Sequence, residues 1–412
     1  MPFVETSVNF VVNLTTEGAK KGTKYTELQN NICHILQWGL TSMTVGDSLI
    51  YLHMLVTEST LRTFTQNIFL AMGCNAEHAA LATDVLLLAD LRGIDSHGVA
   101  RLTGYIRLWE KHRINPTPNI QIVHETPTTA TIDGDAGLGL VVAPYAMQVA
   151  IKKAELYGSG WVAIRNSNHF GIAGYHALMA VEKDMIGFAM TNASPLVAPT
   201  FSNERMLGTN PMCYAFPAGK YPPVVVDMAT SAAANGKLEI AQRLGKQVPE
   251  GWILDKDGNF TTDPDGVKNG GSLLPLGSDR DHGSHKGFGL SATVDILSGV
   301  LSGANYGPWV PPFVAFLEPG DNPVGKGIGH FLGAMRVDGF RPVNEFKAHL
   351  DNWVARFKSA SPIDPNQKVI IPGEPEHEAE IDRRKNGIPI VDAVVKDLNE
   401  LATKLNLNPL TP

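Results

Sequence analysis

From Pro116 onward the chain alternates short, β-rich apolar runs with longer helical ones, and this alternation constrains the fold more than any other feature. Strand-type runs fall at 131–133, 161–165, 186–190, 212–216, 224–227 and 331–337, and helix-type runs near 140–157, 174–182 and 287–301. Strands interleaved with helices predict an α/β architecture in which helices cover a sheet. The runs 212–216 and 224–226 are joined by a short Pro/Gly connection, which predicts at least one antiparallel pair and therefore a mixed sheet.

The flanks are helical in character. Thr57-Glu58-Ser59-Thr60-Leu61 places a hydroxyl cap before an amphipathic run through Met72, where Gly73 stops it. Asn75 caps a second helix carrying Ala79, Leu81, Ala82, Val85, Leu86 and Ala89. Helical patterns return at 343–357 and 389–405, and composition reads the charged stretch 374–385 between them as a solvated loop. Residues 1–56 show no sustained period and are expected to be an extension of unknown role.

Composition narrows the function classes. At 43% hydrophobic and 18% charged residues the chain is globular, and a net charge of -7 argues against nucleic-acid binding. An anionic small substrate would need a local cationic pocket against that overall field. Cys33, Cys74 and Cys213 are too few and too scattered for a disulfide framework or a cysteine zinc site. No apolar run approaches the ~20 residues of a spanning helix; 32–56 comes nearest, and His34, Asp47 and His53 interrupt it. The first twenty residues lack the basic start and cleavage site of a secretory signal. The expectation is a soluble, cytoplasmic protein with no membrane partner.

The dinucleotide fingerprint G-x-G-x-x-G is missing: Gly137-Leu138-Gly139 meets Val142 where the third glycine belongs, and no helix follows Gly325-Lys326-Gly327-Ile328-Gly329. A standard Rossmann domain is therefore disfavoured. The strongest local constellation is Arg92-Gly93-Ile94-Asp95-Ser96-His97-Gly98-Val99-Ala100-Arg101. If the chain is helical past Gly98, His97 and Arg101 share a face. Arginine can fork onto a carboxylate, and a histidine titrating near neutrality can exchange a hydroxyl proton. The plainer alternative is a helix junction with Asp95 as cap and Arg101 in solvent. A second histidine, in Asn168-His169-Phe170-Gly171, follows a strand, where α/β sheets bind ligands, although an ordinary turn has the same look. Asp227 closes another strand, from which it would bind ribose or orient an imidazole. Lys286 opens the apolar helix, where amides and an ammonium suit a phosphate. Asp281, His282 and His285 are close enough to suggest metal ligands, but no H-E-x-x-H or cysteine pattern accompanies them, and no metal site is expected.

Taken in order, these segments resemble the malate/L-lactate dehydrogenase family of the non-Rossmann type, which also contains ureidoglycolate and sulfolactate dehydrogenases and imino-acid reductases. The resemblance runs from about Thr57 to Leu405 through 92–101, 168–171, 207–211, 226–231, 286–290 and 371–374. It implies a three-layer α/β fold with a mixed sheet that binds a dinucleotide, a helical part built from both chain ends, and a homodimer. The parts would be 57–115 (N-terminal helical), 116–340 (α/β cofactor-binding core) and 341–412 (C-terminal helical, packing on the N-terminal part). The implied activity is hydride transfer between NAD or NADP and a small 2-hydroxy acid of malate or lactate type. Ureidoglycolate, sulfolactate or a cyclic imino acid is the alternative substrate, and a non-catalytic binding module the alternative outside that class. The resemblance makes His169 or His97 the acid/base, with His169 favoured, and gives Ser96 and Asp227 supporting roles and Arg101 the substrate carboxylate. Cofactor contacts implied in the same way are Ser194, Asp227, Met228, Ala229, Lys286, Gly373, Glu374 and Pro375.

Overall fold

The computed structural model describes residues 42–45, 48–51, 53–243 and 245–411. In chain order the elements are β1 (Ser42–Val45), β2 (Ser48–Tyr51), β3 (His53–Val56), α1 (Glu58–Ala71), α2 (Ala76–Leu91), α3 (Leu102–Glu110), β4 (Gln121–Glu125), β5 (Thr129–Asp133), α4 (Gly139–Tyr157), β6 (Ser159–Ser167), α5 (Ala173–Val181), β7 (Met185–Thr191), β8 (Met212–Phe216), β9 (Val224–Met228) and α6 (Asn235–Arg243). There follow β10 (Ile253–Leu254), β11 (Phe260–Thr261), β12 (Ser272–Leu273), α7 (Ser284–Asp295), β13 (Ile328–Arg336), α8 (Val343–Lys358), α9 (Glu374–Asn386), β14 (Ile388–Val391) and α10 (Asp392–Lys404).

The expected alternation builds a seven-stranded sheet of order β4-β5-β6-β13-β7-β8-β9. β5 and β6 are parallel and every other neighbour is antiparallel, so the sheet is mixed, with β8–β9 as the anticipated antiparallel pair. α4 and α5 cover one face through Val142, Ala146, Met147, Ala150 and Ala177, which pack on Ile132, Val162, Ile164, Ala189 and Leu332. Glycine allows the close approach: a Cβ at Gly160 or Gly187 would collide with the backbone carbonyl of Ala150 or Ala177. α7 covers the other face, with Val294 against Met190 and Met212. Three layers result.

The helical part draws on both chain ends. Thr57 accepts the Thr60 N–H at 3.2 Å to cap α1, and Asn75 accepts the His78 N–H at 2.8 Å to cap α2. Leu61, Ile68 and Phe69 of α1 share one core with Leu86, Leu102 and Tyr105, and with Ile388, Leu398 and Leu401 from the far end. β3 pairs antiparallel with β14, Val56 opposite Ile388. The proposed extension over 1–56 lies mostly outside the described residues, but its last four residues are this strand and belong to the fold.

Three local expectations change. The helix expected over 389–405 is divided, because Ile388, Ile390 and Val391 pair with β3 and α10 begins only at Asp392. The stretch 374–385 is a helix, not a loop. Gly373 at φ 89° precedes it, Pro375 lies in its first turn, Glu374 and Glu376 stand at its start, and Arg383, Arg384 and Lys385 at its end. That order of charges complements the helix dipole, and it holds a helix that has no apolar stripe. The long apolar helix stops at Asp295 and continues as a wider π turn over Ile296–Val300.

Candidate active site

The segment carrying Ser96, His97 and Arg101 is not one helix. Two short 3₁₀ turns, Asp95–His97 and Val99–Arg101, are separated by Gly98 at ψ −143°. Buried Asp90 dictates the break: its Oδ2 accepts the Val99 N–H at 2.8 Å, and a Cβ on Gly98 would overlap its carboxylate. His97 and Arg101 therefore do not share a helical face, and the four-residue spacing is not what joins them. Arg101 instead folds back, its Nε donating to the Ser96 carbonyl. The Ser96 hydroxyl lies 2.9 Å from His97 Nδ1. From outside, Arg383 of α9 donates to the Asp90 carbonyl and pairs with the Asp95 carboxylate.

The loop after β6 supplies the second histidine. Asn168 anchors it by donating to the carbonyls of Ala136 at 2.9 Å and Gly137 at 3.0 Å. The ring of His169 stacks 5.8 Å from that of His97 and 4.6 Å from that of Phe313. Its Nδ1 lies 2.6 Å from the Tyr105 hydroxyl and accepts the Gly171 N–H at 3.3 Å. An amide N–H can only donate, so Nδ1 is an acceptor, the phenol donates to it, and the proton of the neutral ring resides on Nε2. Ser194 acts one step away, accepting the Phe313 N–H at 2.8 Å and fixing the ring that backs His169.

Both histidines are held below their ordinary value by the protein crowded around them, although each ring remains partly open to water. Burial pushes His97 down to about 3, helped by the Arg101 charge. Burial, then His97 and Arg101, hold His169 well below its ordinary value. Burial raises the Tyr105 phenol, while Arg101 pulls it back.

Asp227 is placed elsewhere. At the end of β9 its Oδ2 accepts the Gly174 N–H at 2.7 Å, at the start of α5, and it opens onto a cleft of about 330 Å³. Met228, Gly373, Pro375, Glu376, Ile94 and Pro372 help line that cleft. Crowding by protein raises the Asp227 carboxyl to about 6, although the group remains open to water. Glu374 turns away from the cleft, ion-paired with Lys358 and accepting the Ile371 N–H at 3.1 Å. Lys286 is exposed in the first turn of α7, and Ala229 follows directly on β9. The structure thus joins Ser96, His97, Arg101 and His169 in one centre, with Ser194 behind it, and Asp227, Met228, Gly373 and Pro375 in another. His282 pairs with Asp279 at 2.7 Å and His285 Nδ1 lies 2.9 Å from Arg280; among the described residues no group of three His, Cys, Asp or Glu is set to hold a metal ion.

Sequence reasoning missed Tyr105, Asp90, Phe313 and Glu376. Tyr105 had a signal, since it lies four residues after Arg101 on a helix. Phe313 had none, because it arrives on a Pro-Pro-Phe loop more than 140 residues from His169.

Known proteins share this arrangement of chain. The model of the malate/L-lactate dehydrogenase family matches residues 56–399. A malate dehydrogenase of Pyrococcus horikoshii is 44% identical over 356 residues, 86% of this chain and 96% of that protein. A malate/(S)-sulfolactate dehydrogenase of Methanothermus fervidus is 39% identical over 86% of this chain and 99% of that one. The crystal structure of a malate dehydrogenase from Entamoeba histolytica superposes with a TM-score of 0.80 at 36% identity, covering 86% of this chain and 99% of that one. The chain belongs to the malate/L-lactate dehydrogenase family, and it is an oxidoreductase.

Proposed function

We propose that the protein moves a hydride between NAD or NADP and a small 2-hydroxy acid of malate or lactate type. The observation that carries this reading is the stacked His97–His169 pair beside Arg101, a proton-exchanging group next to a carboxylate receptor. A 2-hydroxy acid bears its carboxylate on the carbon that also bears its reacting hydroxyl, so it presents both features to both residues. The nicotinamide, when bound, supplies or accepts the hydride at that carbon. The Asp227 cleft fits the nucleoside portions of such a cofactor: it offers a water-accessible carboxylate to ribose hydroxyls and apolar walls from Ile94 and Pro372. Asp227 and Glu376 disfavour phosphate there. The cofactor's phosphates fall instead to Lys286 and the amides of the first turn of α7.

Arg101 holds the substrate carboxylate, and Ser96 fixes the His97 ring beside it. In the reducing direction His169, protonated on both nitrogens in the substrate complex, gives its Nε2 proton to the oxo oxygen and is left a neutral ring, its Nδ1–H held against the Tyr105 oxygen 2.6 Å away. Burial keeps the Tyr105 phenol protonated throughout. In oxidation the neutral ring, its proton moved to Nδ1, takes the hydroxyl proton on Nε2. The substrate's own negative charge opposes the depression of the histidines and favours the protonated ring in the complex. The exposed apolar side chains of Leu290, Ile296, Val300 and Leu301 along α7 and its π turn favour a homodimer. No helix among the described residues is long and apolar enough to cross a membrane.

The test is oxidation of NADH and NADPH, followed by absorbance, against pyruvate, oxaloacetate, the ureide oxalurate (the oxo form of ureidoglycolate), sulfopyruvate and cyclic imines. Turnover is expected with a 2-oxo acid. Absence of both turnover and nucleotide binding at millimolar concentration defeats the reading. Turnover confined to sulfopyruvate, the ureide or an imine moves the substrate within the family.

A further inference from the structure

Arg101 is already engaged. Its Nη1 lies 3.5 Å from Oε1 and 3.4 Å from Oε2 of Glu239 on α6. The arginine side chain is only 16% exposed and the glutamate 34%, so the carboxylate is the more open member of the pair. α6 comes this close because residue 236 is glycine: a Cβ there would sit 2.7 Å from Ser96 Cβ and 3.2 Å from Arg101 Nη2. Asn235, one turn before Glu239 on the same helix, donates to Glu239 Oε1 at 2.8 Å.

We propose that Glu239 is an internal competitor for the substrate carboxylate, holding the Arg101 guanidinium until the substrate's carboxylate takes its place. This rests on the reading of Arg101 as the carboxylate receptor. The exchange is isoelectric, one carboxylate for another on the same guanidinium, so the buried cation is never left unpaired, a state that carries a heavy penalty. The released Glu239 keeps its hydrogen bond from Asn235. A neutral amide or ester of the same acid brings no charge to replace Glu239 and is rejected. Affinity for the acid is therefore the difference between two carboxylates rather than the full strength of one, and KM is set in part by a residue that touches no reacting atom.

The experiment compares steady-state reduction of pyruvate and oxaloacetate, at saturating NADH or NADPH, by the wild-type protein, Glu239→Gln and Asn235→Ala. Glutamine keeps an acceptor for Asn235 but gives up the charge, so KM falls, by about three- to tenfold for loss of a partly buried ion pair, while kcat stays within about twofold. Asn235 donates to Glu239 before and after the exchange, so Asn235→Ala leaves KM and kcat close to the wild-type values. A fall in KM on losing the charge, with none on losing its helix neighbour, is not the signature of a loosened helix. Glu239→Gln, folded as judged by its melting curve, that leaves KM unmoved or raises it, or Asn235→Ala that lowers KM as far, overturns the inference while the functional reading stands. No turnover of any 2-oxo acid by the wild-type protein overturns both together.

Discussion

His97 and His169 enter the free protein uncharged, and that fixes how activity responds to acid. Both have depressed pKa values, so each neutral form is complete at neutrality and is lost only as pH falls through the folded-state value, about 3 for His97. For oxidation of a 2-hydroxy acid the free protein needs a neutral base. The acid limb of kcat/KM in that direction is therefore expected well below the ordinary histidine value, and a profile that breaks near 6.5 contradicts the burial argument. Replacing the ring tests the roles. His169→Ala should lower kcat by about 10²–10⁴-fold, the usual worth of a positioned acid/base. Arg101→Ala should act mainly on KM for the acid. Near-normal turnover in His169→Ala together with none in His97→Ala would exchange the two histidines' roles.

At the scale of elements, the decisive piece is the break between two 3₁₀ turns over buried Asp90. Gly98→Ala puts a methyl group on the Asp90 carboxylate, so the loop must shift and carry Ser96, His97 and Arg101 with it. The expected result is a loss of about 10²-fold or more in kcat/KM, as displacements near 1 Å bring, with the far-ultraviolet spectrum of the α/β core retained. Wild-type activity in Gly98→Ala would mean that the loop tolerates another path. This break was not legible in the sequence, because Asp90 reads as the polar end of an apolar helix and its acceptor role depends on a backbone amide nine residues on. The sheet was legible, since β8 and β9 announce themselves by apolar runs on either side of a short turn. α9 was misread for the opposite reason: its stability lies in charge order and in Glu380–Arg384 at 2.8 Å rather than in an apolar stripe. The histidines were found as residues, but their electrostatics were not. Burial among Phe313, Tyr105 and each other comes from segments that sequence spacing cannot bring together.

For the whole molecule, the notable dependence is of the first helices on the last. Ile388, Ile390, Leu398 and Leu401 complete the core of α1–α3, so a chain ending at Gly387 leaves Leu61, Ile68 and Phe69 without their cover. Such a truncation is expected to abolish turnover and to bind a hydrophobic dye at neutral pH, with loss of helical signal by circular dichroism. Full activity in the truncated chain would show that the N-terminal helices close by themselves. The pairing of Val56 with Ile388 also has a meaning in time. A ribosome delivers α1 to α3 well before their cover, with 331 residues between the two partners of that pair. The sheet and its helices can settle as they emerge, but the layer that carries Ser96, His97 and Arg101 must wait, its apolar faces open, until β14 and α10 have emerged. Catalytic competence thus follows the emergence of that cover, and the waiting helices are the surface on which a holding chaperone would find this protein.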